Sequence, residues 1–481
     1  MKRIFASRSF LALGLCLSAG AVQAAPAPLT LEESITIALN NHGDTGASLQ
    51  RSLSATQNIR SVRSGLLPQA SASVNYVYRK SPSASLAGVL AGNSGNVTTG
   101  VSVSQNIFDG GKTRTQVRRA RAQELGTVGD FGSVRSGLAY QVAQAFYEQL
   151  RQEKLVLQRE SQVKLAQEQL AQIDAQIEAG TIARADRLSV QVTLSQARFD
   201  LVSSQNSLGV AQVDFRNVLG LERGEKLNLS ESSRLDSSVA PPVETEQTES
   251  SELLVIPALK PLEAYIQQAQ ALRPDLLQAR ATVLQNEATV QLAKIEKRPQ
   301  VSLNADYNID PRSTLDREFQ IGAGVNFSLF DGGKRSADLK AAEATLAASL
   351  IQLEQTEKDL SADVESCYIN LTGQVERINN ARILVQQAQT NLATATERYQ
   401  LGLGIVLDIV NAQNSLMSAQ TSATQAEFDY EIARANLDRA VGRFAWANPD
   451  QPVPEAAPQS IPDAIKPTPV AAPEGEAADV E

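Results

Sequence analysis

The chain has 481 residues with 53 acidic and 44 basic side chains, so its formal net charge is −9. This acidity makes nucleic acid and anionic lipid headgroups poor partners. Only two cysteines and one histidine are present, and the mature chain would keep Cys367 and His42 alone, far apart in sequence. We therefore expect no disulfide, no His/Cys metal site and no cofactor.

Residues 1–24 have the pattern of a secretory signal peptide. A basic start is followed by an apolar core from residue 10 to residue 17 and by small residues before Ala25. The alternative is a buried N-terminal helix. Removal of the signal with its three basic residues, Lys2, Arg3 and Arg8, would change the net charge from −9 to −12. No later segment has the run of about 18 apolar residues of a membrane-spanning helix, so any membrane entry must use strands.

The rest of the chain contains two copies of one unit. Matched residues before the first hairpin loop are 231 positions apart, and matched residues after it are 222 positions apart. The pairs include Ile35 with Ile266, Gln69 with Gln300, Phe108 with Phe330, Gly180 with Gly402, and Asp186 with Asp408. This register indicates a duplication with a nine-residue insertion in the first hairpin. We assign repeat 1 to residues 25–224, a linker to residues 225–261 and repeat 2 to residues 262–445.

Each repeat contains an alternating pattern that predicts a β-hairpin, over residues 69–108 and 300–330. In the second hairpin the odd positions from Phe319 to Leu329 are apolar, and the positions between them are polar or glycine. Such runs suit a tilted strand that crosses a bilayer. The alternative is a soluble hairpin packed on a core. Because four strands cannot close a barrel and lipid does not tolerate open edges, an open pore needs at least three chains.

Each hairpin ends in an Asp-Gly-Gly turn, at Asp109, Gly110 and Gly111 and again at Asp331, Gly332 and Gly333. The glycines can supply positive φ, and the aspartates place an acid at the start of the following helix. The next segments, 112–178 and 334–401, lack proline and predict helices of about 100 Å. Their heptad spacing, and that of the returning helices, predicts left-handed coiled coils.

The outgoing and returning helices are joined by short tips at residues 180–186 and 402–408. Glycine suits the end of a helix and aspartate the beginning of the next one, which places Asp186 and Asp408 beside the tips. These two acids can also be read as ordinary first-turn residues with no further role. The linker is polar and acidic, and the Pro/Ala/Glu-rich tail over 446–481 predicts disorder.

The order of these elements, present twice, resembles the TolC-type outer membrane efflux proteins. The resemblance implies a homotrimer with a 12-stranded β-barrel in the outer membrane, four strands per protomer. A trimeric α-barrel of long coiled-coil hairpins would continue it through the periplasm. It also implies a periplasmic adaptor protein and an inner membrane transporter as partners, and outer membrane lipid around the strands.

The resemblance also implies a periplasmic gate at Asp186, Tyr399 and Asp408. Two positions depart from the family pattern, because Asn411 stands where a second acid is expected and Gly404 where an arginine is frequent. We therefore expect one ring of Asp408 carboxylates, and if a basic partner exists, Arg184 or Arg187 would have to supply it.

Asp186 and Tyr399 are expected to hold the closed state by hydrogen bonding. Three tip glycines, Gly180, Gly402 and Gly404, are expected to contact the adaptor.

The function that follows is a passive exit duct in the outer membrane, for efflux of small molecules or for type I protein secretion. A periplasmic coiled-coil adaptor or scaffold is the alternative, since such proteins also have long helical hairpins. The four alternating strands favour the duct. No nucleophile pair or metal site is evident, and Asp-Gly-Gly-Lys alone is not a phosphate-binding loop, so we expect no enzyme.

Overall fold

The computed structural model describes residues 29–79, 94–179, 184–222, 229, 259–309 and 317–446, without the side chains of residues 79, 94–96, 184–186 and 446. The predicted signal peptide, most of the linker and the tail beyond residue 446 lie outside these residues. The first tip glycine, Gly180, lies outside them as well.

Six elements form each repeat. Repeat 1 contains α1 (Leu31–Asn41), α2 (Gly43–Ser64), β1 (Gln69–Arg79), β2 (Ser94–Phe108), α3 (Lys112–Glu178) and α4 (Arg184–Leu219). Repeat 2 contains α5 (Leu262–Leu272), α6 (Pro274–Ile295), β3 (Gln300–Ile309), β4 (Arg317–Asn326), α7 (Lys334–Gln400) and α8 (Val406–Val441). A short 3-10 helix, Arg443–Trp446, follows.

The two repeats agree residue by residue in their helices. Both ends of α1 and α2 map onto α5 and α6 at a separation of 231, and both ends of α3 and α4 map onto α7 and α8 at 222. The predicted duplication is therefore confirmed. The long helices α3 and α7 have 67 residues each, which corresponds to about 100 Å. Among the described helices, none combines the length and the apolar character needed to cross a membrane.

The four strands form one antiparallel sheet in the order β1-β2-β3-β4. Gln69 lies opposite Ser104 in the first hairpin, and the equivalent residues Gln300 and Asn326 are opposite each other in the second, so both hairpins share one register. The pairing of β2 with β3 joins the repeats. Within the described residues, this leaves β1 and β4 as open edges of the single chain.

Strand β4 is shorter than the sequence predicts. The alternating pattern continues to Leu329, but β4 ends at Asn326, whereas the equivalent strand β2 extends to Phe108. The last residues of β2 pair with β3 and not with β1. The corresponding residues of β4 have no neighbouring strand within the described part of the chain, which explains the early end.

The coiled-coil positions predicted from the heptads pack between the helices of each hairpin. Residues of this pattern that are buried include Ala166, Ile173, Leu194, Ala197, Ala211, Phe215, Ala388, Ala419, Ala426, Tyr430, Ala433 and Leu437. Helix α3 packs on its own partner α4 and also contacts α6 and α8 of repeat 2. The two hairpins therefore lie side by side, with the sheet at one end and the tips at the other.

Candidate functional site at the ends of the helical hairpins

The turn after the first β-hairpin is fixed by the Asp109 carboxylate. Its Oδ1 accepts the Gly111 N–H at 2.9 Å and its Oδ2 accepts the Thr113 N–H at 2.7 Å. Partial burial by itself would raise the pKa of Asp109, but the hydrogen bonds from Thr113 and Gly111 outweigh it and lower the pKa. Gly110 and Gly111 have φ of 65° and 93°, a region that favours glycine.

In the equivalent turn of repeat 2, the aspartate also binds an arginine side chain. Asp331 accepts the Gly333 N–H at 3.1 Å and both the N–H and the Nε–H of Arg335, at 3.1 and 2.5 Å. The hydrogen bond from the Arg335 side chain is the main reason why the pKa of Asp331 is lowered. Gly332 and Gly333 again have positive φ. In the first turn the arginine comes from the other repeat, because Arg298 donates to the Gly110 carbonyl at 2.9 Å.

At the opposite end, the second hairpin tip is a tight helix–helix connection. Helix α7 is closed by hydrogen bonds from the Gly402 N–H to the Tyr399 carbonyl and from the Leu403 N–H to the Arg398 carbonyl. Gly402 has φ of 74°, as the left-handed position after a helix requires. Gly404 lies close to the preceding helix, since a Cβ there would be 3.3 Å from the Tyr399 backbone nitrogen.

Asp408 is exposed in the first turn of α8. Its Oδ2 accepts the Ile405 N–H at 3.2 Å, which satisfies one of the free backbone donors at the helix start. The structure thus supports the helix-start role that the sequence left open for this acid. The carboxylate stays solvent-accessible, so this role and a role in a gate are compatible.

Tyr399 connects the two helical hairpins. Its hydroxyl donates to Oε1 of Gln176 on α3 at 2.9 Å. Sequence reasoning missed Gln176, because no periodicity reveals which residue of one hairpin faces the other. Asp186, the expected partner of Tyr399, belongs to the first turn of α4, but its side chain lies outside the described residues.

Of the two arginines considered as a basic gate partner, Arg187 is paired within its own hairpin. Its Nε donates to Oδ1 of Asp174 at 2.6 Å, linking α4 to α3. The side chain of Arg184 lies outside the described residues.

An apolar cluster ties the four long helices together just above the tip. Ile173, Val190, Val406 and Val410 are buried there, with the Tyr399 ring packed against them. The connection itself exposes apolar side chains, namely Leu401, Leu403, Ile405 and Leu407, which are between 50% and 70% exposed. Contiguous exposed apolar residues are typical of an interaction site. The signal is visible in the sequence, because these four residues are apolar at alternate positions in a short connection.

A groove of about 580 Å³ runs between the hairpins above this cluster. Its walls come mainly from α3 and α8, and its lining combines polar side chains such as Gln158 and Gln420 with apolar ones such as Leu165 and Met417. In the described part of the chain, no group of three or more His, Cys, Asp and Glu side chains is placed to hold a metal ion.

The model of the outer membrane efflux protein family matches residues 35–221 and 265–443, which together are most of both repeats. The chain belongs to the outer membrane efflux protein family. It is 23% identical to the outer membrane efflux protein BepC of Brucella suis, over 86% of each chain. It is 24% identical to the outer membrane protein TolC of Vibrio cholerae, over 81% of this chain and 85% of the relative.

The solved structures show the same architecture. A crystal structure of CusC superposes on this efflux protein with a TM-score of 0.72 at 17% identity, covering 86% of this chain and 92% of CusC. The family assignment confirms an outer membrane protein with a long periplasmic helical part. It also confirms that the protein is not an enzyme, because the family consists of channels.

Proposed function

We propose that this efflux protein is the passive exit duct of a tripartite export system. The observation that supports this proposal is the apolar face of the sheet, which is exposed at one end of the long helices. Val74, Tyr76, Ile321 and Val325 are between 63% and 72% exposed in the single chain. Strand β4 is exposed along its whole length, on both faces. An exposed apolar face on a strand of this length suits contact with lipid.

Three chains form the duct in this proposal. The sheet of one chain has two open edges, which lipid does not tolerate, so the strands of several chains pool into one barrel. Eight strands would be filled by their own side chains, whereas twelve leave an open passage. The helical hairpins continue this passage through the periplasm.

The tip forms the periplasmic gate. Tyr399, hydrogen-bonded to Gln176 and close in sequence to the connection, holds the two hairpins together, and Asp186 is proposed as a second partner. The exposed Asp408 carboxylates of three chains form an acidic ring. Like charges around a narrow axis repel one another and attract cations, which biases passage by charge.

Partner proteins supply the energy for transport and select the cargo. The exposed apolar residues of the tip, together with Gly180, Gly402 and Gly404, form the contact surface for a periplasmic adaptor. The groove between α3 and α8, lined by both apolar and polar side chains, suits an amphipathic helical hairpin of that adaptor. An inner membrane transporter selects the cargo, which is either a small molecule or a protein secreted in one step.

The experiment compares two lysine substitutions in neighbouring residues of β4. Ile321→Lys places a charge on the apolar face, and Gln320→Lys places the same charge on the polar face. On the lipid face a lysine costs about 2–4 kcal/mol near the bilayer centre, and on the lumen face it is tolerated. We expect Ile321→Lys to reduce trimer in isolated outer membranes and Gln320→Lys to preserve trimer while lowering the cation preference of the conductance in planar bilayers.

A scaffold without a pore predicts a different result. Both side chains are exposed in the single chain, so a water-soluble coiled-coil protein should tolerate both lysines equally. A periplasmic monomer or dimer without conductance, unaffected by either substitution, would exclude the duct.

A further inference from the structure

Positive charge is concentrated where the strands end and the long helices begin. Residues 57–68 and 288–299 precede the two β-hairpins, and residues 106–121 and 328–343 follow them. These four segments contain thirteen basic and five acidic side chains, a net charge of +8 in a chain whose net charge is −9. We call the basic residues the junction belt: Arg60, Arg63, Lys112, Arg114, Arg118, Arg119, Arg121, Lys294, Lys297, Arg298, Lys334, Arg335 and Lys340.

The junction belt extends across the width of the chain. Helices α2, α3, α6 and α7 lie side by side, and the belt lies at the ends of α2 and α6 and at the beginnings of α3 and α7. On α3, Arg114, Arg118 and Arg121 are spaced by four and three residues, so they share one face of the helix over about 10 Å. All three are exposed, which makes this face accessible to an anion.

Few acidic side chains neutralise the belt within the chain. Lys334 pairs with Asp338, and Arg335 pairs with Asp331. No other belt residue forms an ion pair with a residue that the structure describes. The carboxylates of Asp109 and Asp331 already accept backbone N–H groups of the turns. The belt therefore keeps positive charge available for an external anion.

The duplication has retained this charge. The two copies differ at many other positions, and the buried Arg273 of repeat 2 is equivalent to His42 of repeat 1. Three belt positions are nevertheless basic in both repeats, namely Arg63 with Lys294, Lys112 with Lys334, and Arg118 with Lys340. This agreement indicates that positive charge is needed at the junction itself, in whichever repeat it lies.

An apolar rim separates the sheet from the junction belt. Leu67 precedes β1, Phe108 ends β2, and Leu329 and Phe330 lie between β4 and α7. These four side chains are between 51% and 88% exposed in the single chain. A rim of aromatic and apolar residues with basic residues on its far side is typical of the boundary between the hydrocarbon core and the headgroups of a bilayer.

We propose that the junction belt binds the phosphate groups of anionic phospholipids, such as phosphatidylglycerol, in the leaflet beside the helices. The headgroup layer is about 5–8 Å thick on each side of the core, so Arg114 and Arg118, about one helical turn apart, both reach it. Lysine and arginine bury their apolar stems and hold their charged ends among the phosphates.

The acidity of the whole chain makes such lipids poor partners on average, but the local charge decides this contact. Electrostatic attraction at a surface falls off within about 10 Å in 0.1 M salt, whereas the helices carry most of their acids much farther from the sheet. The inference rests on the proposed placement of the sheet in the bilayer.

The test uses the full-length protein reconstituted into phosphatidylcholine vesicles with a trace of spin-labelled lipid. Electron paramagnetic resonance gives the fraction of labelled lipid that the protein immobilises, for labelled phosphatidylglycerol and for labelled phosphatidylcholine. We expect the wild-type protein to prefer phosphatidylglycerol at least about threefold in 0.1 M salt. This preference should nearly disappear in 1 M salt, because the screening length falls to about 3 Å.

Four neutral substitutions in exposed belt residues should at least halve the preference: Arg63→Gln, Arg118→Gln, Lys294→Gln and Lys340→Gln. The matched control also removes four exposed positive charges, but at least about 25 Å farther along the helices, and should keep the wild-type preference. It combines Lys164→Gln, Arg198→Gln, Lys358→Gln and Arg377→Gln. Arg63→Lys with Arg118→Lys retains the charge and should also keep the preference.

Equal lipid preference in the wild-type protein and the belt variant would overturn the proposal. If that variant also shows a lower anion permeability in planar bilayers, the belt lines the passage and does not contact lipid. An equal loss in the control variant, or a loss in the lysine variant, would likewise overturn a local charge effect. If the belt variant does not insert, a wild-type preference that persists in 1 M salt still contradicts the proposal.

The outcomes also separate the belt from the duct. Wild-type protein that conducts without preferring phosphatidylglycerol overturns the belt and leaves the duct intact. A salt-sensitive preference in inserted protein without conductance supports the belt and overturns the duct. Wild-type protein that does not enter vesicles overturns both.

Discussion

The two ends of the long helices are held in different ways. At the sheet end, carboxylates bind backbone N–H groups directly, as Asp109 does with Gly111 and Thr113, and Arg298 adds a bond to the Gly110 carbonyl. At the tip the Asp408 carboxylate likewise accepts the Ile405 N–H, but the two hairpins contact each other there through side chains, among them the hydrogen bond from Tyr399 to Gln176 and a small apolar cluster. Side-chain contacts can be exchanged without unfolding the backbone. We therefore propose that the tip is the end at which the duct changes its width.

The same glycine substitution at both ends should produce the largest contrast. Gly111 and Gly402 both have positive φ, where a β-branched residue is strained by at least about 1–2 kcal/mol. We expect Gly111→Val to reduce the amount of folded trimer in outer membranes. We expect Gly402→Val to leave that amount unchanged but to abolish ethidium efflux from cells with the cognate transporter and adaptor.

Gly137→Ala serves as the control for this pair, because Gly137 lies within α3 and has open space around its Cβ position. It should lower neither the trimer amount nor the efflux. Loss of trimer in Gly402→Val would assign that glycine a folding role and remove the contrast between the ends.

The Asp109 carboxylate should make a smaller, pH-dependent contribution to the stability of the sheet end. Asp109→Ala removes two hydrogen bonds to the start of α3, which we expect to cost about 1–2 kcal/mol at pH 7. Since the pKa of Asp109 is lowered in the folded chain, this stability is fully present above the unfolded pKa of about 3.9. It is lost as the pH falls through the folded pKa.

Urea unfolding in detergent at pH 7 and at pH 3 measures this difference. The difference in the free energy of unfolding between the wild-type protein and Asp109→Ala should be smaller at pH 3 than at pH 7. An equal difference in the free energy of unfolding at both pH values would mean that the charge of Asp109 does not stabilise the turn.

Loosening the tip should have the mildest effect. One hydrogen bond contributes about 0.5–1.5 kcal/mol, so Tyr399→Phe combined with Asp186→Ala should raise the mean single-channel conductance without loss of trimer. Gln176→Ala should act in the same direction, because it removes the same bond from the other side. Unchanged conductance in both variants would exclude Tyr399 from the gate.

Much of the fold could be predicted because the two repeats have similar residues at equivalent positions. Each helical residue adds a fixed rise, so counting from Phe108 to Gly180 and from Phe330 to Gly402 gives equal helix lengths in both repeats. The Asp-Gly-Gly turns could also be predicted from local conformational preferences.

The remaining features depend on neighbours that a sequence pattern does not specify. The bond from Tyr399 to Gln176 depends on how two hairpins are rotated against each other. Strand β4 ends at Asn326 because strand length follows from pairing as well as from alternation. The arginines that complete the two turns differ in origin, since Arg298 comes from the other repeat and Arg335 from the adjoining helix.

In the proposed duct, the equal lengths of α3 and α7, 67 residues each, set the distance between the membrane and the tips that are proposed to dock. One extra residue in either helix would lift its tip by about 1.5 Å and rotate it by about 100°. Seven extra residues would nearly preserve the facing side but extend that tip by about 10 Å. The two tips of the proposed docking surface lie at one level only while both helices keep the same number of residues, whereas the first β-hairpin has nine more residues than the second.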